Sequence, residues 1–205
     1  MYSICFYADV VRALDDIDAP YLIVGAFAGL AFGITRTTFD IDILVDLRPE
    51  DCDRLSEKFP LPRFYADPEM MKDSIRLGIM FNLIDTQEGV KADLVPLSRE
   101  PEYRTAFDRR IRRWFSDGET EFEAWCARPE DIIIGKLKAW NEGRSNKHPA
   151  DIRDILLFLL SDDNDYPFDL TLIEKAVNRM GSEVAETWRS TLTRARSDAK
   201  NRNER

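Results

Sequence analysis

The chain has 205 residues, of which 44% are hydrophobic and 33% charged, an ordinary composition for a globular protein. Its net charge of −9 argues against broad non-specific binding of nucleic acid, which requires a basic face. No stretch approaches the ~18 apolar residues of a membrane helix, and the N-terminus lacks the pattern of a signal peptide. We therefore expect a cytoplasmic protein that does not enter a membrane.

The first half of the chain alternates between predicted helices and strands. Residues 7–17 have helical spacing, and residues 21–24 form a short apolar strand that leads into a glycine. A compact helix is predicted over 26–33, followed by a β-branched, alternating strand over 39–46. Pro49 opens the next helix, whose first turn is acidic.

Farther along, a short helix is predicted over 68–77, and two apolar runs flank the polar turn 86–89 as a β-hairpin. A basic helix over 102–113 and a strand over 119–126 follow. Helices are then predicted over 129–141 and 151–160 and within 169–196. This order predicts an α+β fold, with a mixed α/β core over 1–114 and a mainly helical region over 115–205.

The segment FDIDILVD contains two acids at alternate positions of a predicted strand. Phe39 and Ile41 should face the core, while Asp40 and Asp42 share the other face about 7 Å apart. Two such carboxylates repel each other unless a cation lies between them, and oxygen ligands suit Mg²⁺. The alternative is a solvated strand face, but aspartate is poorly suited to strands, which favours a metal site.

Two features upstream of this strand are typical of a phosphate site. Gly25 joins a strand to a helix, a turn that can present backbone N–H groups to a phosphate. Arg36 lies between that helix and the acidic strand. Alone, Gly25 could be an ordinary turn glycine that binds nothing, and Arg36 could be an ordinary surface arginine.

A third acid is expected from the predicted hairpin. Asp93 points away from the apolar face of VKADLVPL, together with Lys91. If that strand lies beside the acidic strand, Asp93 joins Asp40 and Asp42 to form the set needed for displacement at a phosphate. Asp85, on the other hairpin strand, is a weaker candidate for the same role.

A strand, Gly-Ala, a short helix, Asp-Ile-Asp and a later strand Asp together resemble the nucleotidyltransferase superfamily of the DNA polymerase β type. Gly25 matches that family's first glycine, and Ala26 stands where Gly or Ser is usual. Asp40 and Asp42 match its paired acids, and Asp93 matches its third. The resemblance implies a polymerase-β-like palm, with a short mixed or antiparallel sheet and flanking helices.

The helical half resembles AbiEii-like and related bacterial nucleotidyltransferases. Lys136, Arg144, Lys147 and Asp151 match that pattern, and His148 stands where an Asp is usual. The resemblance implies nucleotide binding by Gly25, Ala26, Arg36, Lys136 and Asp151, and metal binding by Asp40, Asp42 and Asp93. It implies two Mg²⁺ ions, with Mn²⁺ as a substitute.

Three candidates also have ordinary interpretations. Lys136 either neutralises a triphosphate or lies on the surface. We interpret His148 as a loop histidine rather than as a catalytic base. The arginine-rich run 108–115 either binds a polynucleotide by charge and stacking or forms the solvated face of a helix with Trp114 packed inward.

Two hypotheses about function follow. In the first, the chain is an EC 2.7.7-type enzyme that transfers a nucleoside monophosphate from an NTP to an acceptor hydroxyl. The acceptor would be RNA (including tRNA), a protein or a small molecule, and the family includes toxins paired with antitoxin proteins. In the second, the chain is an inactive nucleotidyltransferase-like protein that binds a nucleotide or a partner.

Overall fold

This computed structural model describes residues 4–161 and 166–203, which contain seven β-strands and nine α-helices. The strands are β1 (Tyr21–Val24), β2 (Asp40–Val45), β3 (Phe64–Tyr65), β4 (Phe81–Asp85), β5 (Val90–Pro96), β6 (Ile111–Ser116) and β7 (Glu121–Cys126). The helices are α1 (Cys5–Asp16), α2 (Gly25–Leu30), α3 (Pro49–Lys58), α4 (Pro68–Leu77), α5 (Arg104–Asp108), α6 (Pro129–Gly143), α7 (Lys147–Leu159), α8 (Leu170–Met180) and α9 (Ser182–Asn203). No helix within these residues is both long and apolar enough to cross a membrane.

The strands form one mixed sheet in the order β3-β4-β5-β2-β1-β7-β6. β2 pairs with β5, and β1 with β7, in parallel, while the remaining pairs are antiparallel. The predicted hairpin is β4 and β5, joined by residues 86–89. The predicted fold class, a mixed sheet with flanking helices and a helical C-terminal region, is confirmed.

The described residues divide into two compact units. The first unit contains the described residues within 1–27 and 37–127. The second unit contains the described residues within 28–36 and 128–205. The whole sheet belongs to the first unit, and α6 to α9 belong to the second. A domain boundary between residues 114 and 115 stays a prediction.

In the first unit, one face of the sheet is apolar because the strands alternate. Ile23, Ile41, Ile43, Ala92 and Leu94 are neighbours in register on β1, β2 and β5, and all are fully buried. The intervening residues of β2 and β5 therefore face the opposite side, where the acidic positions lie.

An aromatic cluster closes the core of this unit. The Phe27 ring lies 5.2 Å from that of Tyr7, 5.0 Å from Phe115 and 6.3 Å from Phe122, measured between ring centroids. Because Phe27 lies in α2 just after Gly25, this packing fixes the start of that helix on the sheet.

The second unit has its own helical core. α7 contacts α6 and α9, and α8 contacts α6 and α9. The segment 28–36 ends its helical turn at Gly33, whose φ of +89° is left-handed and suits glycine. Buried aliphatic and aromatic side chains fill the helix contacts, including Ile133, Leu137, Ile155, Leu156, Ile173, Val177 and Trp188.

The prediction that Phe39 faces the core is wrong. β2 begins at Asp40, one residue later than expected, so Phe39 precedes the paired part of the strand. Its side chain is 66% exposed. The alternation that buries Ile41 and Ile43 therefore does not extend to this residue.

The predicted basic helix over 102–113 is correct only as far as Asp108. α5 ends at Asp108, and the arginine-rich run continues as the strand β6, which pairs with β7. Phe115 is buried on one face of β6, whereas Trp114 points to the other face and is 64% exposed. The β-branched and aromatic residues of this run favour a strand, and the burial of Phe115 in the aromatic cluster stabilises it.

Replacing Phe27 tests the role of the aromatic cluster. We expect Phe27→Ala to lower the free energy of unfolding by about 3–5 kcal/mol, because the change removes a fully packed ring and leaves a cavity. The matched control is Phe39→Ala, which removes the same atoms from an exposed position and should cost about 0.5 kcal/mol or less. Urea unfolding followed by tryptophan fluorescence measures both values, and equal costs would contradict the assignment.

Candidate active site

Three carboxylates lie on one face of the sheet in the first unit. Asp40 and Asp42 share a face of β2, and Asp42 pairs in register with Asp93 on the parallel neighbour β5. Neighbouring strands are about 4.8 Å apart, so the backbones of Asp42 and Asp93 are direct neighbours. The expectation that residue 93 lies beside the acid pair is confirmed, while the roles of the three acids stay predictions.

Asp93 is held by two side chains from the same face. Lys91 Nζ donates to both carboxylate oxygens, at 2.7 Å to Oδ1 and 2.6 Å to Oδ2, and Asn82 Nδ2 donates to Oδ1. Asp93 is buried, so these hydrogen bonds supply partners that water does not. The hydrogen bond to Asp93 and the charges of Asp93, Asp40 and Asp42 raise the pKa of Lys91, against a smaller opposing effect of burial.

Asp42 lies directly against the turn at Gly25. Gly25 follows β1 with a φ of +70°, in the left-handed region that glycine adopts without strain. A Cβ atom at this position would overlap Asp42 Oδ2. Glycine is therefore required here both by the backbone conformation and by the close approach of the carboxylate.

Asp40 has a neighbouring hydroxyl group. Thr38 Oγ1 donates to Asp40 Oδ1 at 2.8 Å, and the Thr38 side chain is buried. This contact orients the Asp40 carboxylate from just outside the start of β2.

The donor set of this acidic face fits a hard divalent cation. Carboxylate oxygens are the ligands preferred by Mg²⁺, and two or three of them on one face lower the cost of placing a cation there. Within residues 4–161 and 166–203, no group of three or more acidic, histidine or cysteine side chains is arranged to hold a metal ion. Both oxygens of Asp93 contact the ammonium group of Lys91.

Asp85, the weaker candidate for a third acid, lies on the other face of the sheet. It is fully buried, and Arg63 donates to its Oδ2 at 2.8 and 3.1 Å. Its Oδ1 accepts the backbone N–H groups of Gln87 and Glu88 in the hairpin turn. These contacts give Asp85 a structural role in the hairpin.

The second unit contains a buried ion cluster formed by Arg36, Lys136 and Asp151. Arg36 donates to both oxygens of Asp151, at 2.7 and 2.9 Å, and Lys136 Nζ donates to Oδ2 at 2.6 Å. Burial alone would raise the pKa of Asp151, but hydrogen bonds from Arg36 and Lys136 outweigh it and lower that pKa. Lys136 and Asp151 are buried, whereas the side chain of Arg36 is partly exposed.

His148 lies in the first turn of α7, next to this cluster. Burial and the positive charges of Lys136 and Lys147 lower its pKa. This shift favours the neutral imidazole, which suits a position beside two cations.

Thr38, Asn82 and Lys91 were not among the predicted site residues. Two of them had a signal in the sequence. Lys91 is two residues from Asp93 in a strand, so it shares the same face. The four-residue hairpin turn places Asn82 opposite Asp93, as the pairing of β4 and β5 shows.

No protein-family model matches the sequence, and no curated protein matches it. Solved structures match over most of the chain. An antigenic nucleotidyltransferase-like protein from Paracoccidioides brasiliensis is 17% identical, with 92% of this chain and 91% of that chain covered and a TM-score of 0.48. ANT(2")-Ia in complex with adenylyl-2"-tobramycin is 16% identical, with 95% and 97% covered and a TM-score of 0.39.

A CCA-adding enzyme in complex with CTP is 13% identical, with 85% of this chain and 50% of that chain covered and a TM-score of 0.34. The AbiEii-like part of the resemblance stays a prediction. At these identities and scores, the function of this chain has to be derived from its own residues.

Replacing Asp151 tests the buried ion cluster. We expect Asp151→Asn to destabilise the protein by about 3–5 kcal/mol at pH 7, because it leaves the buried Lys136 ammonium without a carboxylate. Asp198→Asn is the control, since Asp198 and Arg153 form a surface pair that should contribute about 0–1 kcal/mol. Urea unfolding measures both.

A comparison of the wild type with Asp151→Asn tests the pH dependence of the cluster. The pKa of Asp151 is lowered in the folded state, so its contribution is present above the unfolded value of about 3.9 and is lost as the pH falls through the folded value. The stability difference between the wild type and Asp151→Asn should therefore shrink at pH 4 and below. A difference that is constant from pH 7 to pH 3 would contradict this account.

Proposed function

We propose that this chain is a divalent-metal-dependent nucleotidyltransferase that moves a nucleoside monophosphate from an NTP to an acceptor hydroxyl. The observation that carries the proposal is the acidic face, where Asp42 and Asp93 are in register on parallel strands and Asp40 lies two residues from Asp42. Gly25 bounds this face with a left-handed turn that brings its backbone against Asp42.

The charge of the acidic face is the main physical support for the proposed metal-dependent activity. Three carboxylates on adjacent positions repel one another, and such a site is stable when cations neutralise it. Asp40 and Asp42 would hold the metal ions, with Asp93 as a further ligand. Bound Mg²⁺ would polarise the phosphate oxygens and neutralise charge that develops on the triphosphate.

The reaction that suits these residues is an in-line displacement at the α-phosphorus. The acceptor oxygen forms a bond to phosphorus, the bond to the pyrophosphate oxygen breaks, and pyrophosphate leaves. The proton of the acceptor hydroxyl passes to the Asp93 carboxylate, which Asn82 orients through a hydrogen bond. The backbones of Gly25 and Ala26 are the proposed phosphate contacts in the first unit.

In the second unit, the proposed nucleotide-binding residues are Arg36, Lys136 and Asp151. Arg36 is the member whose guanidinium reaches solvent, and Asp151 holds it in a fixed orientation through two hydrogen bonds. A guanidinium fixed in this way is suited to bidentate contact with phosphate.

A second candidate function is nucleotide or partner binding without turnover. The ion pair between Lys91 and Asp93 favours it, because Asp93 is then already neutralised. Ala26 also lacks the hydroxyl that a serine would offer to a phosphate. The two candidates differ in whether label from an NTP is transferred to an acceptor.

The acceptor is proposed only by class. RNA (including tRNA), a protein or a small molecule would each supply the required hydroxyl, and a toxin role with a cognate antitoxin is one biological setting. The net charge of −9 gives a polyanionic acceptor no advantage over a small molecule or a protein.

Labelled nucleotides test the proposed enzyme directly. The protein is incubated with Mg²⁺, a cell extract and each NTP labelled at either the α- or the γ-phosphate. We expect label from the α-phosphate alone to reach an acceptor, because nucleotidyl transfer releases the γ-phosphate with pyrophosphate. Asp42→Asn should reduce the transfer by at least about 100-fold, since it removes a proposed metal ligand.

Asp46→Asn is the matched control, because Asp46 lies just beyond the end of β2 and its side chain is 52% exposed. Its transfer rate should equal that of the wild type. Nucleotide binding without transfer of label from any NTP would support the non-catalytic candidate. Transfer of the γ-label would instead indicate phosphoryl transfer.

A further inference from the structure

Lys91 lies among the three acids of the proposed metal site. It pairs in register with Asp40 across β2 and β5, and it is two residues from Asp93 on the same face of β5. Its ammonium group contacts both oxygens of Asp93 at 2.6 and 2.7 Å. The charges of Asp40 and Asp42 act on the same ammonium.

A cation at this position neutralises part of the negative charge that a divalent ion would otherwise neutralise. The acidic face requires positive charge, and the Lys91 ammonium supplies one unit of it from within the chain. It also occupies an acceptor site on each oxygen of Asp93, because both carboxylate oxygens accept from it. A metal ion that binds Asp93 is therefore repelled by the Lys91 ammonium and competes with it for the carboxylate.

The Lys91 side chain has room for its ammonium to be displaced. It is 43% exposed, while the Asp93 side chain that it contacts is only 8% exposed. A lysine carries a compact charge on a flexible four-carbon stem, so its ammonium can move into water without moving the strand. Asn82 remains as a second partner of Asp93 when the ammonium leaves.

We infer that Lys91 is a tethered cation that holds Asp93 in the metal-free protein and competes with the divalent ion for that carboxylate. The inference rests on the proposed metal site and adds a positioning residue to it. It predicts that removing the Lys91 charge strengthens metal binding, although the change also removes a contact to Asp93.

Binding of Mn²⁺ without nucleotide tests this inference and needs no enzyme activity. Free Mn²⁺ is measured by electron paramagnetic resonance during titration of the wild type, Lys91→Met and Lys91→Gln. We expect both variants to bind Mn²⁺ about tenfold more tightly, because a unit charge next to the ion has been removed. The double variant Lys91→Met with Asp93→Asn should lose this gain.

Lys58→Met is the matched control. Lys58 forms a surface pair with Asp16, so its removal makes the same change in net charge away from the acidic face. It should leave the Mn²⁺ affinity unchanged. Circular dichroism confirms that each variant is folded.

Equal Mn²⁺ affinity in the wild type and in both Lys91 variants, with binding still dependent on Asp42, would overturn the role of Lys91 and leave the metal site standing. Weaker binding by both variants would also overturn it. If no protein in the set binds Mn²⁺, the proposed metal site fails, and the inference fails with it.

Discussion

The parallel register between β2 and β5 is the constraint on which the acidic face depends. It sets Asp42 beside Asp93 and Asp40 beside Lys91, so one shared face carries three negative charges and one positive charge. The cost of that arrangement is met partly within the chain, by hydrogen bonds from Lys91, Asn82 and Thr38. A site that uses these acids to bind a metal would replace an internal cation with an external one.

Two features of the fold stabilise the register of β2 and β5. The aliphatic residues that alternate with the acids are buried on the opposite face, so a shift by one residue would bury carboxylates and expose isoleucines. Gly25 adds a steric limit, because a side chain there would overlap the Asp42 carboxylate. The arrangement of charges is thus fixed by apolar packing and close backbone approach, which is how a preorganised site is built.

Much of this face could be predicted from the sequence, because it depends on local periodicity. Alternation in FDIDILVD identified the acid pair, and the polar turn at 86–89 identified the hairpin that carries Asp93. The strand β6 could not be predicted in the same way, because a run of arginines also fits a helix and the packing of Phe115 against the distant Phe27 decides between the two. The pairing of Arg36 and Lys136 with Asp151 is likewise a contact between distant segments, 115 and 15 residues apart.

We propose that Asp40 and Asp42 bind a divalent ion that also binds a triphosphate. A crystal structure with Mn²⁺ and a non-hydrolysable NTP analogue tests it, because anomalous scattering locates the metal independently. We expect a Mn²⁺ ion about 2.1 Å from carboxylate oxygens of both residues, with triphosphate oxygens among its other ligands. A triphosphate bound elsewhere on the chain, with no Mn²⁺ at Asp40 and Asp42, would contradict it.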